Sequence, residues 1–204
     1  MKNKKIVFVL GLLIDAFAIA LSVKIFIGAS PFGSFVDNAV QIFPLTPGTI
    51  SFVYSTLTLF LVKYINKEKF YYQGLIYNFL FAFVLDFWFL IIPDLIFLDL
   101  VVKVLIGLIS VVLADISKYF LTNGQGPKLP TVVLINAISE KFQKNKNFAS
   151  KTITITTVLL SVLMSFFHNE GLFYQVGFFT LMHVFFTGNI LDFLEKRDFL
   201  NIKK

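Results

Sequence analysis

Long apolar segments make up most of the chain, and two of the breaks between them share a Gly-x-x-Pro motif. Gly28-Ala-Ser-Pro31 follows the first apolar segment, and Gly124-Gln-Gly-Pro127 follows the fourth. Backbone polar groups inside lipid must be hydrogen-bonded within the protein, so a chain that interrupts its helices there has to satisfy the freed groups elsewhere. These two breaks therefore constrain the fold more than any other feature.

The composition is that of an integral membrane protein. Hydrophobic residues make up 57% of the chain and charged residues 15%, whereas a soluble domain has about 45–50% and about 25%. A helix needs about 20 apolar residues to cross a hydrocarbon core of about 30 Å. We therefore predict one membrane domain over residues 1–204 with six spans. The absence of cysteine excludes disulfides and Cys-ligated metals.

The predicted spans end at charged or turn-forming residues. They cover approximately residues 6–27, 49–65, 71–92, 100–121, 148–167 and 172–194. Two shorter helices, 31–43 and 131–143, follow the breaks, with Ser30 as N-cap and Pro31 as first residue of the first one. At about 1.5 Å per residue neither is long enough to cross. They either dip into the membrane, with their N-termini toward a ligand, or lie flat at its surface.

Basic residues predict the orientation. Loops assigned to one side carry Lys2, Lys4, Lys5, Lys63, Lys67, Lys69, Lys128, Lys141, Lys144, Lys146, Lys196, Arg197, Lys203 and Lys204. The opposite loops are mainly acidic. The positive-inside rule then places both termini in the cytoplasm of a multi-pass protein of the cell membrane. This topology also explains the net charge of +6 without nucleic acid as a partner.

The two halves of the chain resemble one another. A shift of 96 positions brings Gly11 onto Gly107, Gly28 onto Gly124 and Pro31 onto Pro127. Each half reads as a span, a break, a short helix and two further spans. Because each half has three spans, the halves, about 1–93 and 94–204, must be inverted. We therefore predict an all-α membrane protein built from two inverted three-helix repeats, an architecture typical of secondary transporters.

These motifs resemble the YitT/YczE-type family of small bacterial integral membrane proteins. The shared features are the Gly-x-x-Pro breaks, the Gly48-Thr49 step and the glycine-containing last spans ending near Asp86 and Asp192. The resemblance implies the fold of the whole chain and no settled activity. Members often carry Asp two residues after the proline, whereas this chain has Gly33 and Leu129 there. No role for that acid can therefore be transferred.

Polar residues within spans and at the breaks are candidates for a solute or ion pathway. They are Asp15, Gly28, Ser30, Pro31, Ser34, Asn38, Asn78, Asp86, Gly124, Pro127, Thr131, Asn136, His183 and Asp192. A carboxylate at the depth of Asp15 costs about 2.5–3.5 kcal/mol and is usually functional. Structural alternatives stay open: Asp15 could pair with Lys24 or Lys103, and Asp86 and Asp192 could be solvated at the interface. His183 could relay protons or be a hydrogen-bonded structural residue.

Two helical-spacing pairs, Asp115 with Lys118 and Asp99 with Lys103, are interpreted as structural ion pairs. No sequence motif of a hydrolase, a metalloenzyme or a nucleotide-binding protein is present. We therefore expect no enzyme activity, no cofactor and no metal.

A transporter or permease for a small solute or ion is the function that the repeat, the breaks and the buried acids favour. Two alternatives remain. One is a non-transporting membrane accessory or regulatory protein, and the other is the substrate-binding membrane subunit of a larger uptake complex. The expected partners are the lipid bilayer and an unidentified solute or ion, with a homodimer as a possibility.

Overall fold

The computed structural model describes residues 4–67 and 70–186. Within these ranges the chain forms eight α-helices and no strand. The helices are α1 Lys4–Lys24, α2 Pro31–Ile42, α3 Pro47–Asn66, α4 Tyr72–Ile91, α5 Leu100–Asn123, α6 Pro130–Phe142, α7 Lys146–Ser165 and α8 Phe178–Phe186. Five of them, α1, α3, α4, α5 and α7, are long and apolar enough to cross a membrane.

The short helix α2 begins where the sequence predicts. The Ser30 side chain accepts a hydrogen bond from the Gly33 backbone N–H at 3.1 Å, and Pro31 is the first helical residue. The second short helix, α6, begins at Pro130, within one residue of the predicted start at Thr131. Leu129 precedes a proline, which disfavours helical geometry at that position and sets the start of α6.

The sixth predicted span begins later than expected. Its described helix, α8, starts at Phe178, because residues 171–177 form turns with positive φ at Gly171, Phe173 and Gln175. The rest of that span, including Asp192, lies outside the described residues.

The most extensive packing between two helices is that of α1 against α5. The two helices are antiparallel: the Gln125 N–H donates to the Lys4 carbonyl at one end, and the Leu95 N–H donates to the Lys24 carbonyl at the other. We call these ends the Lys4 end and the Asp94 end. Small residues bring the backbones close, since a Cβ at Gly11 would lie 2.9 Å from the Leu121 side chain.

Helices α4 and α3 complete the first half of the bundle. α4 runs parallel to α1, with Phe17 against Trp88, and the Trp88 indole donates to the Leu13 carbonyl at 3.1 Å. α3 is antiparallel to α4, with Leu59 packed on Gly74. Large apolar side chains on the outer surfaces of these helices are exposed, among them Leu57, Phe79, Phe83 and Leu90. Exposed apolar surfaces of this kind fit contact with lipid.

Each short helix packs on a long helix of the other half. α2 contacts α7, and α6 contacts α3. Seven of the twelve residues of α2 are buried, including the polar Ser34, Asp37 and Asn38. Protein therefore covers both the apolar and the polar face of α2, which is not the arrangement of a helix lying flat with its polar face in water.

Candidate functional site

Many buried polar side chains, together with partly buried neighbours such as Lys118 and His168, fall into two groups, which we call the inner and the outer cluster. The inner cluster consists of Asp15, Asp115, Ser117, Lys118 and His183. The outer cluster lies at the Asp94 end. It consists of Ser22, Ser30, Ser34, Asp37, Asn38, Ser161, His168, Tyr174, Gln175 and Thr180.

The inner cluster begins at the contact between α1 and α5. Ser117 Oγ donates to Asp15 Oδ1 at 2.7 Å, and both side chains are buried. Asp15 is close to the middle of α1, eleven residues from Lys4. The expected alternatives for Asp15 do not occur: Lys24 binds Asp94 at 2.6 Å, and Lys103 Nζ donates to the Ile96 carbonyl at 2.7 Å.

The second part of the inner cluster joins α5 to α8. Lys118 Nζ binds Asp115 Oδ1 at 3.3 Å, which confirms that predicted ion pair. Among the described residues, the other carboxylate oxygen, Asp115 Oδ2, has no hydrogen-bond partner, and neither does Nε2 of the buried His183. The Lys118 charge acts electrostatically on Asp15, Asp115 and His183, so all four ionisable groups belong to one neighbourhood.

Such a cluster can hold a proton or a small polar ligand. Two carboxylates face one ammonium, which leaves net negative charge if both acids are ionised. Buried polar atoms without partners are uncommon and call for an explanation, such as a functional role or an unseen ligand or water. Asp115 Oδ2 and the imidazole nitrogen of His183 are an acceptor and a donor or acceptor that such a ligand could use.

The outer cluster holds the first Gly-x-x-Pro break in place. The Ser30 backbone N–H donates to Ser22 Oγ at 3.2 Å. Gly28 has φ of 105°, and a Cβ there would lie 2.9 Å from the Gly177 backbone. The Ala29 N–H donates to the Gln175 carbonyl at 2.9 Å. The break is therefore tied to the turns that precede α8.

Asn38 links α2 to α7 and to the segment after it. Its Nδ2 donates to Ser161 Oγ at 3.0 Å and to the Tyr174 carbonyl at 2.8 Å. Its Oδ1 faces His168 Nε2 at 2.6 Å, while His168 Nδ1 accepts from the Glu170 N–H at 3.2 Å. These two contacts fit a neutral imidazole with its proton on Nε2.

Asp37 and Gln175 form the buried centre of the outer cluster. Gln175 Nε2 donates to Asp37 Oδ2 at 3.0 Å and to the Val23 carbonyl at 3.1 Å. Burial raises the pKa of Asp37 to about 6, while hydrogen bonds from Gln175 and Tyr174 and the Lys24 charge lower it. Burial, followed by the charge of Asp37, raises the pKa of the Tyr174 hydroxyl. Gln175 Oε1 is buried and has no hydrogen-bond partner within residues 4–67 and 70–186.

The structure brings only some of the predicted site residues together. The outer cluster contains three of the predicted residues, Ser30, Ser34 and Asn38. Gly28 and Pro31 lie at the break beside it. Asp15 and His183 belong to the inner cluster.

The predicted candidates of the second half are elsewhere. Gly124 packs against Phe8 near the Lys4 end, so it lies apart from the outer cluster. Pro127 is half-buried in the loop before α6. Thr131 and Asn136 are half-buried on α6, the helix that packs near Val62 on α3.

The two remaining candidates on α4 have local partners. Asp86 accepts from the Gly48 N–H at 2.6 Å and from Thr46 Oγ1 at 2.7 Å, so its carboxylate holds the start of α3. Asn78 is buried beside Thr56.

Several residues of the clusters had no functional role in the sequence analysis. His168 and Gln175 were not among the predicted site residues, and Asp115 and Lys118 were interpreted as a structural ion pair. The polar face of α2, which includes Asp37, was the available signal, but only the fold shows which segment covers it.

A family model matches residues 2–196, and the chain therefore belongs to the DUF6198 family, described as a family of unknown function. No curated protein and no solved structure matches the chain significantly. The family is thereby shown, whereas the resemblance to the YitT/YczE-type family stays a prediction.

Proposed function

We propose that this member of the DUF6198 family is a multi-pass permease of the bacterial cell membrane that moves a small solute or ion. Its binding site would be the inner cluster, where the two halves of the chain meet. The observation that carries the proposal is a group of ionisable side chains. Asp15, Asp115 and Lys118 lie on membrane-length helices, and within the described part of the chain Asp115 Oδ2 and His183 Nε2 have no hydrogen-bond partner. Ionisable residues in spans are costly and usually mark a substrate, ion or proton pathway.

An inverted repeat is part of this proposal, and the spacing of the helices supports it. Helices α1 and α5 begin 96 positions apart, whereas α2 and α6, and likewise α3 and α7, begin 99 positions apart. The contact of Asn38 with Ser161 has a counterpart under the 99-residue shift, because Ala137 and Val62 also pack together. The Asn38–Ser161 contact is polar, whereas the matching contact of Ala137 with Val62 is apolar. In transporters with inverted repeats, the site lies at the repeat interface.

The residues at the two ends of the bundle support an orientation in the membrane. Lys4, Tyr71 and Lys128 lie at one end of the bundle, and Lys24, Asp94 and Tyr174 lie at the other. Together with the positive-inside rule, this arrangement favours a cytoplasmic Lys4 end with both termini there. On this proposal α2 is a re-entrant helix that enters and leaves on the outer side.

The proposal includes no catalytic step, no cofactor and no nucleic acid. The whole chain acts as one membrane domain, with lipid around it and a solute or ion as its ligand. A homodimer stays a prediction.

A binding screen on detergent-purified protein tests the proposal. Amino acids, organic acids, amines and inorganic ions are added singly while thermal unfolding is followed, because a ligand of the folded state raises the midpoint. We expect a stabilising ligand whose effect disappears in Asp115→Asn and persists in Asp99→Asn, a control acid at the start of α5. A ligand that stabilises both variants equally would place its site outside the inner cluster.

A further inference from the structure

Asp37 in the outer cluster is a buried carboxylate without a directly bound cation. It is 9% exposed, and the groups that donate to it, Gln175 Nε2 and the Tyr174 hydroxyl, are neutral. Lys24 acts on Asp37 only at longer range, because its ammonium is bound to Asp94 at 2.6 Å. A buried charge without a close counter-charge is costly. Binding a proton or a cation would remove this cost for the Asp37 carboxylate.

The second observation is the unpartnered amide oxygen of Gln175. The side chain is 7% exposed, and its Nε2 is used by both Asp37 and the Val23 carbonyl. Oε1 belongs to the same planar amide, so it lies within one amide group of the Asp37 contact, yet no group in the described part of the chain donates a hydrogen bond to it. An acceptor that is both buried and unsatisfied needs a donor or a cation.

The end of α1 lies beside this pair and adds negative partial charge. The helix ends at Lys24, and the next residues turn sharply, with φ of 55° at Phe26 and 105° at Gly28. The Val23 carbonyl in its last turn accepts from Gln175 Nε2 at 3.1 Å. A helix C-terminus carries a negative partial charge that favours a nearby cation.

The surrounding charges have the same sign preference. Asp94 acts electrostatically on Asp37, and Glu170 acts on Tyr174, whereas Lys24 is the positive charge that acts on Asp37. An excess of negative charge raises the local concentration of cations.

We propose that the outer cluster binds a monovalent cation, of the sodium, potassium or ammonium class, between the Asp37 carboxylate and Gln175 Oε1 at the end of α1. Oxygen ligands suit hard cations, and a single carboxylate fits a single positive charge. Among the described residues no group of three His, Cys, Asp or Glu side chains could hold a metal, so the site lacks the ligands of a divalent or transition-metal centre. Binding at this site does not depend on the proposed transport.

The test measures thermal unfolding of the purified full chain in sodium, potassium, ammonium or choline chloride at equal ionic strength and neutral pH. Choline is too large for the site and serves as the reference. We expect at least one of the three small cations to raise the midpoint by several degrees. Asp37→Asn should lose this response. Asp99→Asn, which changes an exposed acid at the start of α5, and Asp15→Asn should keep it.

A second variant keeps the proposal testable if Asp37→Asn fails to fold. Gln175→Glu places a second carboxylate beside Asp37 and should add a stabilising response to calcium that the unmodified chain lacks. Equal midpoints in all four salts, a cation response that survives Asp37→Asn, or a response lost in Asp15→Asn instead would each overturn the proposal. So would a Gln175→Glu protein whose responses to calcium and to the monovalent cations equal those of the unmodified chain.

Discussion

Ser117 of α5 donates a hydrogen bond to Asp15 of α1 at 2.7 Å, joining residues 102 positions apart in the sequence. Both side chains are buried within helices long enough to cross a membrane. This contact lies where the two halves of the chain pack most extensively, so the position of Asp15 depends on the pairing of α1 with α5.

Removing this hydroxyl should destabilise the protein. Hydrogen bonds to charged groups contribute about 1.5–3 kcal/mol, and we expect Ser117→Ala to lower the free energy of unfolding by that amount in detergent. Ser110→Ala is the matched control, because Ser110 is equally buried but donates only to Gly107 within its own helix. Equal losses in the two variants would mean that Asp15 gains nothing from Ser117.

Stability should decrease as the pH rises from about 4 to about 6, because of Asp37. Its pKa is 3.8 in the unfolded chain and about 6 in the folded one, so over this range the folded state holds a proton that the unfolded state has lost. The shift corresponds to about 3 kcal/mol of destabilisation, complete above the folded pKa. Asp37→Asn should flatten the thermal midpoint over this range. A variant with the unchanged pH slope would contradict the assignment.

Gly28 should tolerate a side chain less well than Gly171. Both have a positive φ, 105° and 100°, but a Cβ at Gly28 would lie 2.9 Å from Gly177, whereas one at Gly171 meets nothing within 4 Å. Gly171→Ala therefore measures the backbone strain alone, about 1 kcal/mol. Gly28→Ala should lower the thermal midpoint further. Equal effects would show that the approach to Gly177 is not tight in solution.

The sequence predicted the helical architecture well because hydrophobic length and break residues are local signals. The start of α2 at Pro31 and the Asp115–Lys118 pair were correct. The start of α8 was predicted six residues early because Leu172 and Phe173 are apolar. Only tertiary structure shows that this stretch turns over α2 and brings Gln175 to Asp37.

The candidate site could be predicted only in part for the same reason. Asp15 and His183 were recognisable as polar residues in apolar helices. Asp115 and Lys118 satisfy the helical-spacing rule for an ion pair, so the sequence provided no reason to expect a free carboxylate oxygen. In the described part of the chain, Asp115 Oδ2 has no hydrogen-bond partner. Asp86 was expected to line a pathway, whereas its carboxylate binds the first turn of α3. That contact joins residues 38 positions apart and has no sequence pattern.

The proposed orientation can be read by labelling single cysteines in this cysteine-free chain. Asn66 is the last residue of α3 and lies at the Lys4 end of the bundle, so Asn66→Cys should react from the cytoplasmic side. Asp94→Cys should react from outside. An impermeant maleimide applied to intact cells should therefore modify only the second variant. Modification of both positions from outside would exclude the proposed topology.

Transport itself is tested most directly by uptake into proteoliposomes under an imposed pH gradient and membrane potential. Labelled amino acids, organic acids, amines and alkali cations are offered to vesicles containing the unmodified chain, Asp15→Asn, Asp115→Asn or the control Asp99→Asn. The account predicts that at least one solute accumulates with the unmodified chain and with Asp99→Asn, and that uptake falls at least tenfold in both inner-cluster variants. Uptake that never exceeds that of protein-free vesicles, from folded protein, would contradict it and favour an accessory membrane protein.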